Sequence, residues 1–396
     1  MANYPIIKMY NLLAAANEIE LADINKGWLP RIGVYGQFTA QNVVPSFPEA
    51  LSGILQNMGQ EMRGMGKIQY KVGADLSQTI WDGGVSKASR EVSHTREAVQ
   101  RAGLDVELYQ VRQRVENLYF AMLLTQEQIE QSRITYRLLC DNLDKLRSMY
   151  SNGVAMQSDV DMMEAQELTV NQAIVQARSA LDGYRKALEL FIGESLENET
   201  IAMPTGEIPL DIEPDRPELK LFDYRQEYNE AANRFADTSL MPRIGLFAQG
   251  YYGYPGFNYF QSMINRDLSF NFIAGVKVSW NIDSFYTKSN RSRKTAISTA
   301  EIAADREAFL FNTRIQSAVQ TEAIRGIRNM MKDDGRIVAL RSNVRKAAES
   351  QLDNGVIEII ALLTKISDEN LAMLASKYHE ILLLQEIYKL KYTLDR

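Results

Sequence analysis

Two hydrophobic periodicities alternate along this chain. Around residues 31 to 43, Ile32, Val34, Phe38 and Ala40 share one side while Tyr35, Gln37, Thr39 and Gln41 take the other. The pattern is cleanest at 269 to 283, where Phe272, Ala274, Val276, Val278, Trp280 and Ile282 face one way and Asn271, Gly275, Lys277, Ser279 and Asn281 the opposite way. Such alternation marks an extended strand whose two faces meet different surroundings. With similar segments at 69 to 82 and 243 to 254 it predicts four strands, each near the roughly 9 to 11 residues that a tilted strand needs to cross a bilayer. They read as two long hairpins.

Between the hairpins the period becomes the heptad. Leu104, Leu108, Val111, Val115, Leu118, Met122, Ile129, Tyr136, Leu139, Leu143, Leu146 and Tyr150 follow a four-three spacing, broken only by Thr125 and Ser132. That seam predicts a long helix in a left-handed coiled coil. No proline interrupts Lys87 to Tyr150, so the rod would be about 95 Å long. A second proline-free stretch, 288 to 353, is less regular; its apolar seam is read as Ile337, Leu340, Val344 and Ala347. Each rod stops at Asn-Gly, a signal for a left-handed helix terminus, and a second helix follows at about 156 to 193 and 357 to 392. The chain must double back at both places.

The two halves repeat one another. Gly27-Trp28-Leu29-Pro30-Arg31-Ile32-Gly33-Val34-Tyr35 returns as Ser239-Leu240-Met241-Pro242-Arg243-Ile244-Gly245-Leu246-Phe247, and Asn152-Gly153-Val154 returns as Asn354-Gly355-Val356. Pro5 pairs with Pro217, and Val72-Gly73 through Ser77 resembles Ala274-Gly275 through Ser279. Anchors in the same order imply duplication. The expected organisation is a first repeat at 1–194 (helix, hairpin, long helix, turn, helix), a linker at 195–216 rich in proline (Pro204, Pro209, Pro214), and a second repeat of the same order at 217–396.

Composition narrows the class. Hydrophobic positions make up 45% of 396 residues and no apolar run approaches 18, so a membrane-spanning α-helix is excluded. A net charge of −6 without a cluster of basic and aromatic residues argues against nucleic acid as a partner. The single cysteine, Cys140, permits no internal disulfide and sits among apolar helical positions, as a packed structural thiol does. No basic and apolar export signal is legible at Met1. Four strands cannot close a barrel, and an open edge in lipid leaves backbone groups unpaired at several kcal/mol each. Several chains must therefore share one barrel. Three copies supply twelve strands, an even number within the range of outer-membrane barrels, and surround the axis with paired long helices.

These residues resemble the TolC-like outer membrane efflux proteins, the exit ducts of Gram-negative efflux pumps and type I secretion systems. The matching features are the Leu-Pro-Arg entry to the first strand, the run Leu76-Ser77-Gln78-Thr79-Ile80-Trp81-Asp82-Gly83-Gly84 where strand passes into helix, and Met149-Tyr150-Ser151-Asn152-Gly153 followed by Ser158-Asp159. The resemblance implies an α+β membrane protein, internally duplicated, with two β-hairpins plus long coiled-coil helices per chain. It implies a homotrimer whose 12-stranded β-barrel sits in outer membrane lipid and joins a periplasmic α-helical barrel. The turns at Asn152, Gly153, Val154 and at Asn354, Gly355, Val356 would meet a periplasmic adaptor protein driven by an inner-membrane transporter. Family members carry an export signal and usually more helix ahead of the position of Pro5, so the natural chain is expected to begin earlier. No cofactor or metal is implied.

The gate departs from the family. There, acidic residues six and nine positions after the second turn glycine narrow the periplasmic end, and a Tyr and an Arg nearby link to a Thr/Asp pair in the first repeat. The pair resembles Ser158 and Asp159 here, but the four other positions are Ala361, Thr364, Leu352 and Ile357. An apolar cluster stands in their place: Ile357, Ile359, Ile360, Leu362 and Leu363. The expectation is a tip closed by hydrophobic packing, with Asp159 and Asp161 supplying acid near the opening. The competing expectation is that these residues pack one helix on its neighbour and never face the lumen.

Other candidates carry less. His94 and His379 lie on expected helices with no nucleophile and carboxylate around them, which points to solvated or interhelical roles. Gly59 to Lys67 superficially resembles a phosphate loop, but the spacing from Gly59 puts Met65 where the lysine should stand, and Lys67 is followed by Ile68 and not by Ser/Thr. Met58, Met62 and Met65 are expected as adaptable packing more than as thioether ligands. Tyr251, Tyr252, Tyr254, Phe257, Tyr259 and Phe260 read as an aromatic girdle at a membrane interface. No constellation supports an enzyme. The rival from another class is a soluble coiled-coil scaffold or interaction protein, which has to explain Phe272 to Ile282 as a soluble sheet.

Overall fold

The computed structural model describes residues 4–48, 52–54, 57, 59, 64–197, 201–209 and 213–395. Among the described residues the principal helices and strands follow in order: α1 (Lys8–Asn25), β1 (Arg31–Ala40), β2 (Ile68–Trp81), α2 (Val85–Ser151), α3 (Gln157–Ile192), α4 (Pro217–Asp237), β3 (Arg243–Tyr254), α5 (Tyr259–Asn265), β4 (Ser269–Ser279), α6 (Ser284–Asp353) and α7 (Ile359–Leu394). Short 3-10 turns at Pro5–Ile7, Lys26–Trp28 and Thr238–Leu240 lead into α1, β1 and β3. Two compact units result. One comprises Met1–Leu12, Gln100–Asp223 and Ile302–Arg396; the other comprises Leu13–Val99 and Tyr224–Glu301.

The second unit carries one antiparallel sheet in the order β1-β2-β3-β4, so the two hairpins join through β2 and β3. The strands were expected within a few residues of where they lie. The expected connection between β3 and β4 lacked α5, whose seven residues are too few to show a helical period. Helix starts at the sheet are set locally. Asp82 accepts from the backbone N–H groups of Gly84 at 2.9 Å and Ser86 at 2.7 Å, capping α2.

The first unit is built from long helices. Leu139, Leu143 and Leu146 of α2, Val160 and Met163 of α3, Ala348 of α6, and Ile359, Leu362 and Ile366 of α7 form one buried cluster. Ile129 packs on Ile174 and Ala177 to hold α2 against α3, and Phe120 and Leu123 pack on Ile381 to hold α2 against α7. Every position of the seam expected on α2 is buried or half-buried except Tyr150. Among the described residues no helix is long and apolar enough to cross a membrane.

The seam expected on α6 does not pack within the chain. Ile337, Leu340, Val344 and Ala347 are exposed in the single chain, while Thr313, Gln320, Ile324, Ile327 and Ala348 are buried. Those buried positions keep a four-three register that also contains Asp334 and Arg345. Asp334 meets His379 of α7 at 2.8 Å, and Arg345 bonds Glu369 of α7. The stripe facing α7 is thus partly polar and ion-paired, which a count of apolar residues passes over.

Candidate functional site: the helical turns and the two faces of the sheet

Strand register sorts the side chains of the sheet without ambiguity. Val34 lies beside Ala74, Ala74 beside Gly250, and Gly250 beside Phe272. The same face carries Ile32, Phe38, Val72, Leu246, Tyr252, Val276 and Val278, all exposed. The opposite face carries Gln37, Thr39, Gln69, Lys71, Asp75, Gln249, Asn271 and Lys277. A sheet in water buries its apolar face, whereas this one leaves it open over strands of 10, 14, 12 and 11 residues. Among the described residues nothing pairs with the outer edges of β1 and β4.

The aromatic group at the end of β3 divides in two. Tyr252 is exposed on the apolar face, where an interfacial girdle would stand, whereas Phe257, Tyr259 and Phe260, also exposed, lie past the strand end on the side of the polar face, which corrects the girdle expected from all six rings. Tyr251 and Tyr254 are buried, because Tyr251 lies on the polar face and donates to the Pro255 carbonyl at 3.0 Å, while the Tyr254 hydroxyl accepts from the Gly66 N–H at 2.6 Å. Met65 is buried, its backbone N–H donating to the Pro45 carbonyl at 3.2 Å; Met58 and Met62 lie outside the described residues.

The helical turns are two copies of one hydrogen-bonded motif. Val154 N–H donates to the Met149 carbonyl at 2.9 Å and Gly153 N–H to Tyr150 at 3.0 Å; Val356 donates to Gln351 at 2.8 Å and Gly355 to Leu352 at 2.9 Å. Gly153 at φ +73° and Gly355 at φ +69° occupy the left-handed region that this motif demands. Asn152 and Asn354 each return their side-chain N–H to the serine four residues earlier, at 2.9 and 2.6 Å. Both turns present an apolar tip, with Val154 70% and Val356 69% exposed. Met149, Ala155, Leu352 and Ile357 pack on the same buried cluster, so the turns stand at one end of the helical unit.

The residues expected at the gate are split by this packing. Ile359, together with Leu362, is buried among helices of its own chain. Ile360 points out, and Ile357 and Leu363 are half-buried on the rim of the cluster. Asp159 accepts from the Met156 N–H at 3.0 Å, which makes it the cap of α3; at the second turn Ala361 stands in that position and α7 starts without a side-chain cap. Asp161 is exposed and accepts from Gln157 at 2.7 Å, and Ser158 is exposed. Periodicity located these residues but could not assign Asp159 its capping role.

The sequence also gave no warning of Arg216. Its guanidinium lies 5.0 Å from the Phe309 ring and 5.4 Å from the rings of both Tyr109 and Tyr392, and it bonds Glu218. Tyr109 and Tyr392 stack at 4.5 Å, and burial pushes the Tyr109 hydroxyl well above its ordinary value. This nest fastens the end of the linker to α2, α6 and α7. His379 bridges α7 to α6, His94 is exposed, and Cys140 is half-buried on α2.

The family model described as "Outer membrane efflux protein" matches residues 10–194. Among solved structures, the outer membrane protein VceC of Vibrio cholerae aligns over 98% of this chain and 92% of its own, with 12% identity and a TM-score of 0.69. The CmeC outer membrane channel of Campylobacter jejuni aligns over 98% and 82%, with 12% identity and a TM-score of 0.68. The MtrE outer membrane channel of Neisseria gonorrhoeae, in its open state, aligns over 98% and 86%, with 11% identity and a TM-score of 0.67. At such identities the likeness is one of fold. No curated protein matches the sequence significantly. The family match covers residues 10–194, just under half of the chain, and the likeness of fold covers nearly all of it: residues 10–194 carry the pattern of the outer membrane efflux proteins, and the whole chain shares the fold of these outer membrane channels.

Proposed function

We propose that this protein is the outer-membrane exit duct of a tripartite efflux pump or a type I secretion system. In this reading three chains share a twelve-stranded barrel in the outer membrane of a Gram-negative cell, and their helices continue into the periplasm. The observation that carries it is the sheet with one face apolar except for Gln78 and largely exposed, and with two edges unpaired among the described residues, which lipid and two further copies would satisfy together. Exposed Phe311, Ile315 and Val319 on α6 supply apolar surface for a neighbouring copy. Residues 1–194 and 217–396 then act as two copies of one unit joined by 195–216.

The turns at Asn152–Val154 and Asn354–Val356 are assigned to a periplasmic adaptor that an inner-membrane transporter engages. The gate is assigned to Ile360, Ile357 and Leu363, with Asp161 and Ser158 beside them; Ile359 and Asp159 hold the helices that present these residues. Light scattering of the detergent-solubilised protein tests the assembly. A protein mass near three times 45.0 kDa, with ion conductance in planar bilayers, is the expected result. A monomer soluble without detergent overturns the proposal.

A further inference from the structure

The ends of both hairpins fold over the polar face of the sheet. Asn271, on that face, accepts from the Phe257 N–H at 2.7 Å, and Tyr251, also on that face, donates to Pro255 at 3.0 Å. Ser262 accepts from the Gly256 N–H at 3.1 Å and closes the turn onto α5. The other hairpin is tied in by Gly66 donating to Tyr254 at 2.6 Å and by Arg266 donating to the Gly64 carbonyl at 3.0 Å. These bonds make a preformed shelf rather than a loose loop.

Beneath the shelf lies a cavity of about 700 Å³. One wall is the polar face, with Gln37, Thr39, Gln41, Gln69 and Lys71; the other includes the rings of Tyr259 and Phe260, which are 56% and 69% exposed. Gln41 and Gln69 meet only at 3.4 Å, so their amides keep donor and acceptor capacity. Lys71, set 5.2 Å from the Tyr251 ring, is the only charged residue of the described lining. Amides and a hydroxyl beside exposed ring faces match the alternating hydroxyl and C–H surfaces of a sugar ring, and one cation selects for an anionic substituent.

We propose that this cavity is a binding site for an acidic saccharide at the loop end of the barrel. The site rests on the duct reading, in which the polar face lines the lumen and the loop end opens outward. A bound chain there would lie across the path of ions.

The test uses trigalacturonate as the acidic probe and maltotriose as its neutral counterpart, with the full-length protein in detergent and in planar bilayers. Calorimetry is expected to show millimolar or tighter binding of trigalacturonate and weaker binding of maltotriose. The double variant Tyr259→Ala with Phe260→Ala should weaken trigalacturonate by about tenfold, and Lys71→Gln should bring it to the affinity of maltotriose. In bilayers the probe should reduce the current in a saturable way. Absence of millimolar binding, or binding that neither variant changes, overturns the site. Conductance without binding leaves the duct standing and removes the site; binding by a detergent-free soluble monomer removes the duct and with it the place of the site at the mouth of a barrel. Circular dichroism matching the wild type excludes misfolding of the variants, whose side chains are exposed or half-buried.

Discussion

The Ser86 backbone N–H donates to the Asp82 carboxylate at 2.7 Å, one turn after β2 ends. Burial alone would raise the Asp82 carboxyl, but hydrogen bonds from the Ser86 side chain and backbone and from Gly84 outweigh it and hold the group below its ordinary 3.8. A depressed carboxylate contributes stability that is present above its unfolded value and lost as pH falls through the folded one. Asp82→Ala should cost about 1 kcal/mol at neutral pH. Asp82→Asn keeps an acceptor for the cap, so its thermal midpoint should approach that of the wild type as pH drops below 4 and lie beneath it at pH 6. Thermal melts across that range check the sign.

Gly153→Ala and Gly355→Ala should each destabilise the helical unit by about 1 to 2 kcal/mol, because an L side chain is forced into the left-handed region. Asparagine at the same positions should cost less. Denaturation midpoints of the four variants decide; equal midpoints for alanine and asparagine would remove the conformational account.

Ile359 and Ile360 are chain neighbours with opposite surroundings, 2% and 57% exposed. Ile359→Asp should unfold the tip at a cost of about 3 kcal/mol or more, since its charge enters a sealed apolar cluster. Ile360→Asp should leave stability nearly unchanged and raise single-channel conductance if an apolar iris closes the duct. Unchanged conductance in Ile360→Asp and Leu363→Asp would falsify the gate and leave α7 packing as the sole role of the cluster.

Glu369 is 5% exposed and bonds Arg345, which also bonds Glu349 at 2.6 Å. Glu369→Ala should cost about 3 to 5 kcal/mol by stranding the arginine, whereas Arg345→Met combined with Glu369→Leu should come out near neutral. A double-mutant cycle by urea unfolding separates the two.

Placement of charge should distinguish the faces of the sheet. Val34→Arg should lower the yield of heat-resistant oligomer in the outer membrane, with a midplane cost of about 2 to 4 kcal/mol. Asp75→Arg, on the opposite face of the neighbouring strand, should assemble normally and shift ion selectivity. Equal outcomes would contradict lipid on one side and water on the other.

Much of this was legible in sequence because the strands alternate strictly and the Asn-Gly turns use the same residues twice. Val34 and Phe272 announced their face through neighbours two residues away. Ile324 and Ile327 did not announce theirs, since the stripe that buries them continues through Thr313, Gln320, Asp334 and Arg345, and its affinity for α7 comes from ion pairs. Asp159 looked like a free acid at an opening because nothing local distinguishes a lumen-facing carboxylate from one bonded to Met156. Three-dimensional partners, absent from any periodicity, decide such cases.

The order β1-β2-β3-β4 has a genetic consequence. In a shared barrel the free edge of β4 in one copy must meet the free edge of β1 in the next, a head-to-tail joint that closes only when every joint forms. A single allele carrying a proline on the outer edge of β1 would still fold its helices and enter the ring, yet would break it at one seam. Mixed expression should therefore be dominant negative, with closed rings falling as the cube of the wild-type fraction.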